Sequence, residues 1–160
     1  MSQGGRANRA GKVLESAVEG ALKGHGYVEV ASDLKKKERL AYLVVDSTNI
    51  PKRYARQVHL GKGIYGTDIY VEFYIIGCPS IPSIIIECKW QQVGGSVDEK
   101  LPYVNLTIQN CYPAPAVVLI DGGGMKPGAI AWLTQQINFN QNLLAVHTMS
   151  SFIVWANNNL

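Results

Sequence analysis

The sequence predicts an α/β fold, an α+β arrangement of helices on a mixed sheet, and three features carry that expectation. Near the start, Val13, Leu14, Ala17, Val18, Ala21 and Leu22 form one apolar stripe at helical spacing. From Asp68 the period changes to two: Ile69, Val71, Phe73 and Ile75 point one way, and Asp68, Tyr70, Glu72 and Tyr74 the other. Two nearly continuous apolar runs, IIIECKW from Ile84 and APAVVLID from Ala114, then read as central strands covered on both faces.

Taken in order, the first element is a helix from about Arg9 to Lys23, ended by the GHG run at Gly24. A short strand, YVEVA, follows, and then the charged segment SDLKKKERLAYLVV, where Ser32 or Asp33 caps a helix starting near Leu34. RYARQVHLG alternates as a strand, GKGIYG is a glycine-bounded turn, and the strand from Asp68 makes a hairpin with IIIECKW across the proline-rich GCPSIPS. VDEKLPYVNLTIQN is a helix with its approach, and APAVVLID the next strand. KPGAIAWLTQQI is a helix with Pro127 in its first turn, LLAVH a strand and MSSFIVWAN a closing helix. No repeat or linker divides the chain, so residues 1–160 are expected to form a single domain, with loose ends at 1–8 and 156–160.

Composition narrows the function classes. No apolar run approaches the roughly 18 to 20 residues that span a bilayer, so no membrane role is expected. The polar, basic MSQGGRANRAGK does not resemble a secretory leader, and Cys78, Cys88 and Cys111 have neither zinc nor CxxC spacing; both point to a cytoplasmic protein with reduced thiols. DGGGMKPG lacks the ending of a phosphate-binding loop, so no nucleotide cofactor is expected. Charge is unevenly spread: 12 Lys and Arg face 6 acids up to Gly63, against 3 and 6 from Ile64 onward. A basic half beside a carboxylate-bearing half suits a phosphate-binding surface around an acidic centre. Lys35, Lys36 and Lys37, with Lys52, Arg53, Arg56 and Lys62 around the hairpin arm, are the candidate phosphate contacts.

The centre is read from Glu87 and Lys89. Residues two apart on a strand share a face, so Glu87, Lys89 and Gln91 project together if the strand persists that far. A hairpin turning near Pro79 and Ser80 sets Glu87 across from Glu72, whereas an asymmetric turn brings Asp68 nearer. Like charges facing each other across a sheet repel and call for a positive partner, and Mg²⁺ takes one or two carboxylates plus water and phosphate oxygens. Mn²⁺ is expected to substitute. The lysine then stabilises charge developing on a phosphate under attack, or helps deprotonate the attacking water.

With Glu72-Phe73, the hairpin and IIIECK in place, the chain resembles the PD-(D/E)xK nuclease superfamily, which includes restriction endonucleases, Holliday-junction resolvases and some homing endonucleases. The resemblance implies a restriction-endonuclease-like α-β-β-β-α-β core from about Gly11 to Trp155 and a metal-dependent DNA endonuclease. It implies metal ligation by Glu72 or Asp68, Glu87 and the backbone carbonyl of Cys88, with Lys89 catalytic. Glu15, in a segment similar to the first helix of archaeal resolvases, and Gln91, in KWQQ, are further implied catalytic residues. The first acid of the family motif is normally an Asp after Pro; here Val71-Glu72 and Thr67-Asp68 both depart from that, and hairpin symmetry favours Glu72. One active centre per chain implies a homodimer or larger symmetric assembly for cutting duplex DNA with sequence recognition, of restriction or homing type, in a bacterial, archaeal or phage setting. A junction resolvase, or a non-catalytic DNA-binding module that retains the fold, is the alternative.

Overall fold

The computed structural model describes residues 3–45 and 49–160, with side chains described from residue 11 onward. Its elements run α1 (Gln3–Gly24), β1 (Val28–Glu29), α2 (Arg39–Val44), β2 (Arg53–Lys62), β3 (Asp68–Ile76), β4 (Ser83–Trp90), α3 (Leu101–Cys111), β5 (Ala116–Asp121), α4 (Pro127–Gln135), β6 (Leu143–His147) and α5 (Met149–Asn159). The strands form one six-stranded sheet in sequence order, β1 to β6. β2, β3 and β4 pair antiparallel, while β1 lies parallel to β2, and β5 and β6 run parallel to β4. This is the mixed sheet expected, because short turns join the meander and helical crossovers join the parallel strands.

Helices cover both faces. Leu14, Val18 and Leu22 of α1 join Phe152 and Ala156 of α5 over Phe73, Ile75, Ile84, Ile86, Val117 and Leu119. Leu43 of α2, Leu101 and Ile108 of α3 and Leu133 of α4 cover Ala55, Ile85, Ala116 and Val118 on the other side. Ile84, Ile85 and Ile86 are each at most 1 % exposed, which explains why this strand carries no alternation: both its faces are core.

Four expectations are corrected. The helix expected from Leu34 is split into a 3₁₀ turn, Lys36–Glu38, and α2 from Arg39, with neither Ser32 nor Asp33 as its cap. The Arg39 guanidinium donates to the carbonyls of Ser32, Leu34 and Arg56, which holds the segment before the turn in a non-helical path. The first helix begins at Gln3, ahead of the start expected near Arg9, and residues 1 and 2 lie outside the described residues. At the other end α5 continues to Asn159, past the MSSFIVWAN run expected, and Leu160 is buried, its carbonyl accepting from Lys52.

The fourth correction bears on the site. The alternation expected along β3 breaks at Glu72, because Val71 packs in the α3 layer with Val58 while Phe73 and Ile75 pack in the α1 layer. The register Arg56↔Phe73 and Val58↔Val71 brackets Gln57, which has φ 50°, a left-handed conformation uncommon for a residue with a side chain. The ladder is therefore kinked beside Glu72, as irregular strands often are where a side chain must be re-aimed.

Candidate active site

The β3–β4 ladder ends where the carboxylates begin. Its last pair is Phe73↔Ile86, so Glu72 and Glu87 each stand one residue beyond it, at the point where the two strands part. Parting leaves the N–H of Cys88 without a strand partner on that side, and it donates to Glu72 Oε2 at 3.3 Å. β4 continues past this point because β5 supports it: Glu87 pairs with Val118 and Lys89 with Ile120.

Glu87 is buried, 4 % exposed. The Tyr112 hydroxyl donates to its Oε1 at 2.7 Å, and Lys89 Nζ stands 3.5 Å from its Oε2. Burial, with the hydrogen bond and charge of Glu87 added, pushes the Glu72 carboxyl well above the usual range, against the opposing pull of Lys89 and the Cys88 N–H. Burial opposes the charge on Lys89, but Glu87 and Glu72 outweigh it and raise its pKa, so the side chain is a cation at neutral pH. The Cys88 thiol is pushed up by burial and by the surrounding carboxylates, which leaves it protonated and a poor nucleophile.

Glu15, on α1, is the next acid outward from this pair. Burial raises its pKa, Arg56 lowers it and Glu72 raises it again, which places Glu15 in the electrostatic reach of Glu72. Arg56 Nη2 lies 2.8 Å from Glu15 Oε2, and the guanidinium also sits over the Phe73 ring at 5.0 Å. Arg56 thus braces the acid on α1 against β2 and β3.

Asp68 stands apart from this group. His59 Nε2 at 2.8 Å, Lys62 Nζ at 3.0 Å and Lys37 Nζ at 3.3 Å surround its carboxylate and hold its pKa well below the usual range. It lines the same cleft as Glu87 and Lys89, a hollow of about 300 Å³ walled by Tyr70 on β3 and by Tyr103 and Tyr112 from α3 and its C-terminal end.

Gln91 does not project with Glu87 and Lys89, because β4 ends at Trp90. Its Oε1 accepts from Val97 N at 2.9 Å and Asp98 N at 3.2 Å, and its Nε2 donates to Gly124 O at 3.0 Å. A side chain at Gly122, which has φ 107°, would strike the Gln91 carbonyl, so the glycine-rich turn serves this close approach. Gln91→Ala leaves the buried N–H of Asp98 and the part-buried N–H of Val97 unpaired, and we expect a loss of about 1–3 kcal/mol in urea unfolding; unchanged stability would contradict a clamping role.

The basic candidates divide in the same way. Arg53 is buried beneath α2, donating to Leu43 O at 2.8 Å and Ile50 O at 2.9 Å, and Lys52 donates to the carbonyls of His25 and Leu160. These bonds tie β2 and the residue before it to α2, to the end of α1 and to the C-terminal residue. Lys35, Lys36, Lys37 and Lys62 are exposed, and of these Lys37 and Lys62 flank Asp68 at the cleft. Tyr112 was not expected from the sequence; it follows a helix in no recognisable motif, and only the fold brings it to Glu87.

Among the described residues, no group of three or more His, Cys, Asp and Glu side chains is arranged to hold a metal ion. The two adjoining acids nevertheless fit a hard divalent cation. Both supply oxygen, both are held at the parting strands, and their mutual repulsion is what such an ion relieves. A family model described as the PD-(D/E)XK nuclease superfamily domain matches residues 6–160. No curated protein and no solved structure matches the chain.

Proposed function

The chain belongs to the PD-(D/E)XK nuclease superfamily, and from that premise we propose that it is a divalent-metal-dependent endonuclease that hydrolyses phosphodiester bonds in duplex DNA. A nuclease domain acts on nucleic acid, and nucleases of this superfamily generally use divalent metal ions. The observation that carries the reading is the pairing of Glu72 with Glu87 just beyond the last β3–β4 pair, with Lys89 Nζ 3.5 Å from Glu87.

In this reading Glu72 and Glu87 hold Mg²⁺, with Mn²⁺ able to replace it, and the Cys88 carbonyl lies in the same stretch of backbone. The ion, when bound, neutralises phosphate charge and acidifies water. Lys89, kept protonated by its carboxylate neighbours, donates to a non-bridging phosphate oxygen and stabilises the charge that grows there during in-line attack. Tyr112 fixes one Glu87 oxygen and leaves the other facing Lys89 and the cleft. Glu15, on α1 and paired with Arg56, adds negative charge beside the centre without joining the two acids as a ligand. Lys35, Lys36, Lys37 and Lys62 give the cleft its basic approach, which positions phosphate without reading sequence. One centre per chain makes a symmetric homodimer the economical way to cut both strands, and sequence recognition of restriction or homing type would come from surfaces outside this centre.

The test is cleavage of plasmid, linear duplex and a four-way junction in Mg²⁺ and in EDTA. Cutting that requires the cation supports the reading, and discrete duplex fragments support sequence recognition. Metal-independent DNA binding with no cutting of any substrate in Mg²⁺ or Mn²⁺ would overturn it in favour of a binding module. Junction-only cutting would replace the duplex substrate with a branched one.

A further inference from the structure

We infer that the cleft beside Glu87 and Lys89 is a stacking site for one unpaired nucleotide of the substrate, adjoining the phosphate that is cut. The inference rests on the nuclease reading above and names the substrate feature that the site takes.

The aromatic side chains at the mouth carry it. Tyr65, at the tip of the β2–β3 turn, is 75 % exposed and stacks on Tyr103 with ring centres 5.0 Å apart and planes 27° from parallel. Tyr103 itself lines the cleft. Such exposure leaves Tyr65 with little burial to justify a large ring, while its outer face is open to a partner of the same shape. The tip is not a loose loop: Gly63 N donates to Thr67 O at 2.8 Å and Gly66 N to Gly63 O at 3.0 Å, and Gly66 supplies the positive φ, 73°, that closes the turn. On the opposite wall Tyr70 is 42 % exposed, with the Lys36 ammonium 5.7 Å from its ring centre.

Charge matches the same ligand. Lys37, Lys62 and the His59 imidazole converge on one carboxylate, Asp68, so two full positive charges meet one negative charge at the cleft mouth. Asp68 holds these groups in place, and the surplus suits a phosphate. The hollow of about 300 Å³ beside Tyr103 suits the sugar and phosphate of a nucleotide whose base lies on Tyr65, and it is far too small for a helix. Away from its ends a duplex covers both faces of every base, so there only an unpaired base can offer one to Tyr65. That base comes either from a nucleotide flipped out of intact duplex or from one already unpaired at a fork or branch.

The experiment measures affinity for a fluorescent fork and for an intact duplex of the same sequence, in the slow-cutting Lys89→Ala background held in EDTA, with and without Tyr65→Ala. Base–aromatic stacking is worth about 1–3 kcal/mol, so removing the ring should weaken fork binding roughly 5- to 150-fold. Loss confined to the fork identifies a nucleotide already unpaired. Loss for both substrates, with the fork bound tighter, identifies a flipped base, because only the duplex must be opened. Affinities unchanged within about twofold, or equal losses with equal affinity for the two substrates, would overturn the inference. Tyr65→Trp should restore fork binding, and failure to restore it, with thermal stability lowered in both variants, would reduce Tyr65 to a fold contact and overturn it as well. Wild-type cleavage separates the two readings: Tyr65-dependent binding without any metal-dependent cutting leaves the stacking site and removes the nuclease, whereas cutting with Tyr65-independent binding does the reverse.

Discussion

Lys89→Ala should lower the rate of DNA cleavage at least about 10²- to 10³-fold, the loss typical when one preorganised donor to developing negative charge is removed. The expectation follows from where the ammonium is held. It projects from β4 between Glu87 and the cleft, and the two acids raise its pKa, so it meets the phosphate as a cation. DNA affinity should change little, because Lys36, Lys37 and Lys62 remain. Single-turnover cleavage beside a binding titration checks both halves. A variant that bound DNA poorly but cut bound DNA at the wild-type rate would move Lys89 from chemistry to binding.

Glu72→Gln should abolish metal-dependent cleavage and yet raise the stability of the metal-free protein. Glu72 and Glu87 are set side by side by the parting of β3 and β4, and the folded state lifts the Glu72 carboxyl above its ordinary value. A raised carboxyl pKa means that the folded chain holds a proton that the unfolded chain releases. Its stabilising effect is complete below the ordinary value of 4.5 and declines as pH rises from there toward the raised folded value. The metal-free wild type should therefore lose stability with rising pH across that window, and Gln at this position should remove the decline. At neutral pH the variant should therefore be the more stable of the two, by on the order of 1 kcal/mol or more. Unfolding in denaturant with EDTA at several pH values reads it directly; a variant less stable than wild type at pH 8 would contradict the account. Magnesium should narrow the difference by stabilising the wild type alone.

Much of the scaffold could be read from periodicity. The stripe on α1, the buried runs of β4 and β5 and Pro127 at the start of α4 each depend on residues near one another in sequence, and each lies where expected except Val13, which the stripe leaves exposed. The opposition of Glu72 and Glu87 was legible for the same reason, since a hairpin turning at Pro79 and Ser80 fixes its own register. What could not be read is where regularity stops. Gln57 carries no mark of its positive φ, yet that kink lies beside Glu72 and the break in β3. Nothing in KWQQ says that β4 ends at Trp90 and turns Gln91 away to clamp the following loop.

Charge was legible in amount and not in direction. Lys52 and Arg53 look like Lys62 in the sequence, but the first two are turned toward backbone carbonyls, and only packing of α2 and of the C-terminal end decides that. Asp68 shares an alternating face with Glu72 on paper, and its three basic neighbours come from β2, from the end of that strand and from the 3₁₀ turn before α2. Tyr112 meets Glu87 across 25 residues, a distance at which single-sequence patterns say nothing.

The measurement that bears most directly on the site is a calorimetric titration of Mn²⁺ into wild type, Glu87→Ala and Asp68→Ala. Binding by the wild type and by Asp68→Ala, with loss in Glu87→Ala, is the predicted result. Retention in Glu87→Ala with loss in Asp68→Ala would contradict it, and would place the metal among the lysines at the cleft mouth instead of between β3 and β4.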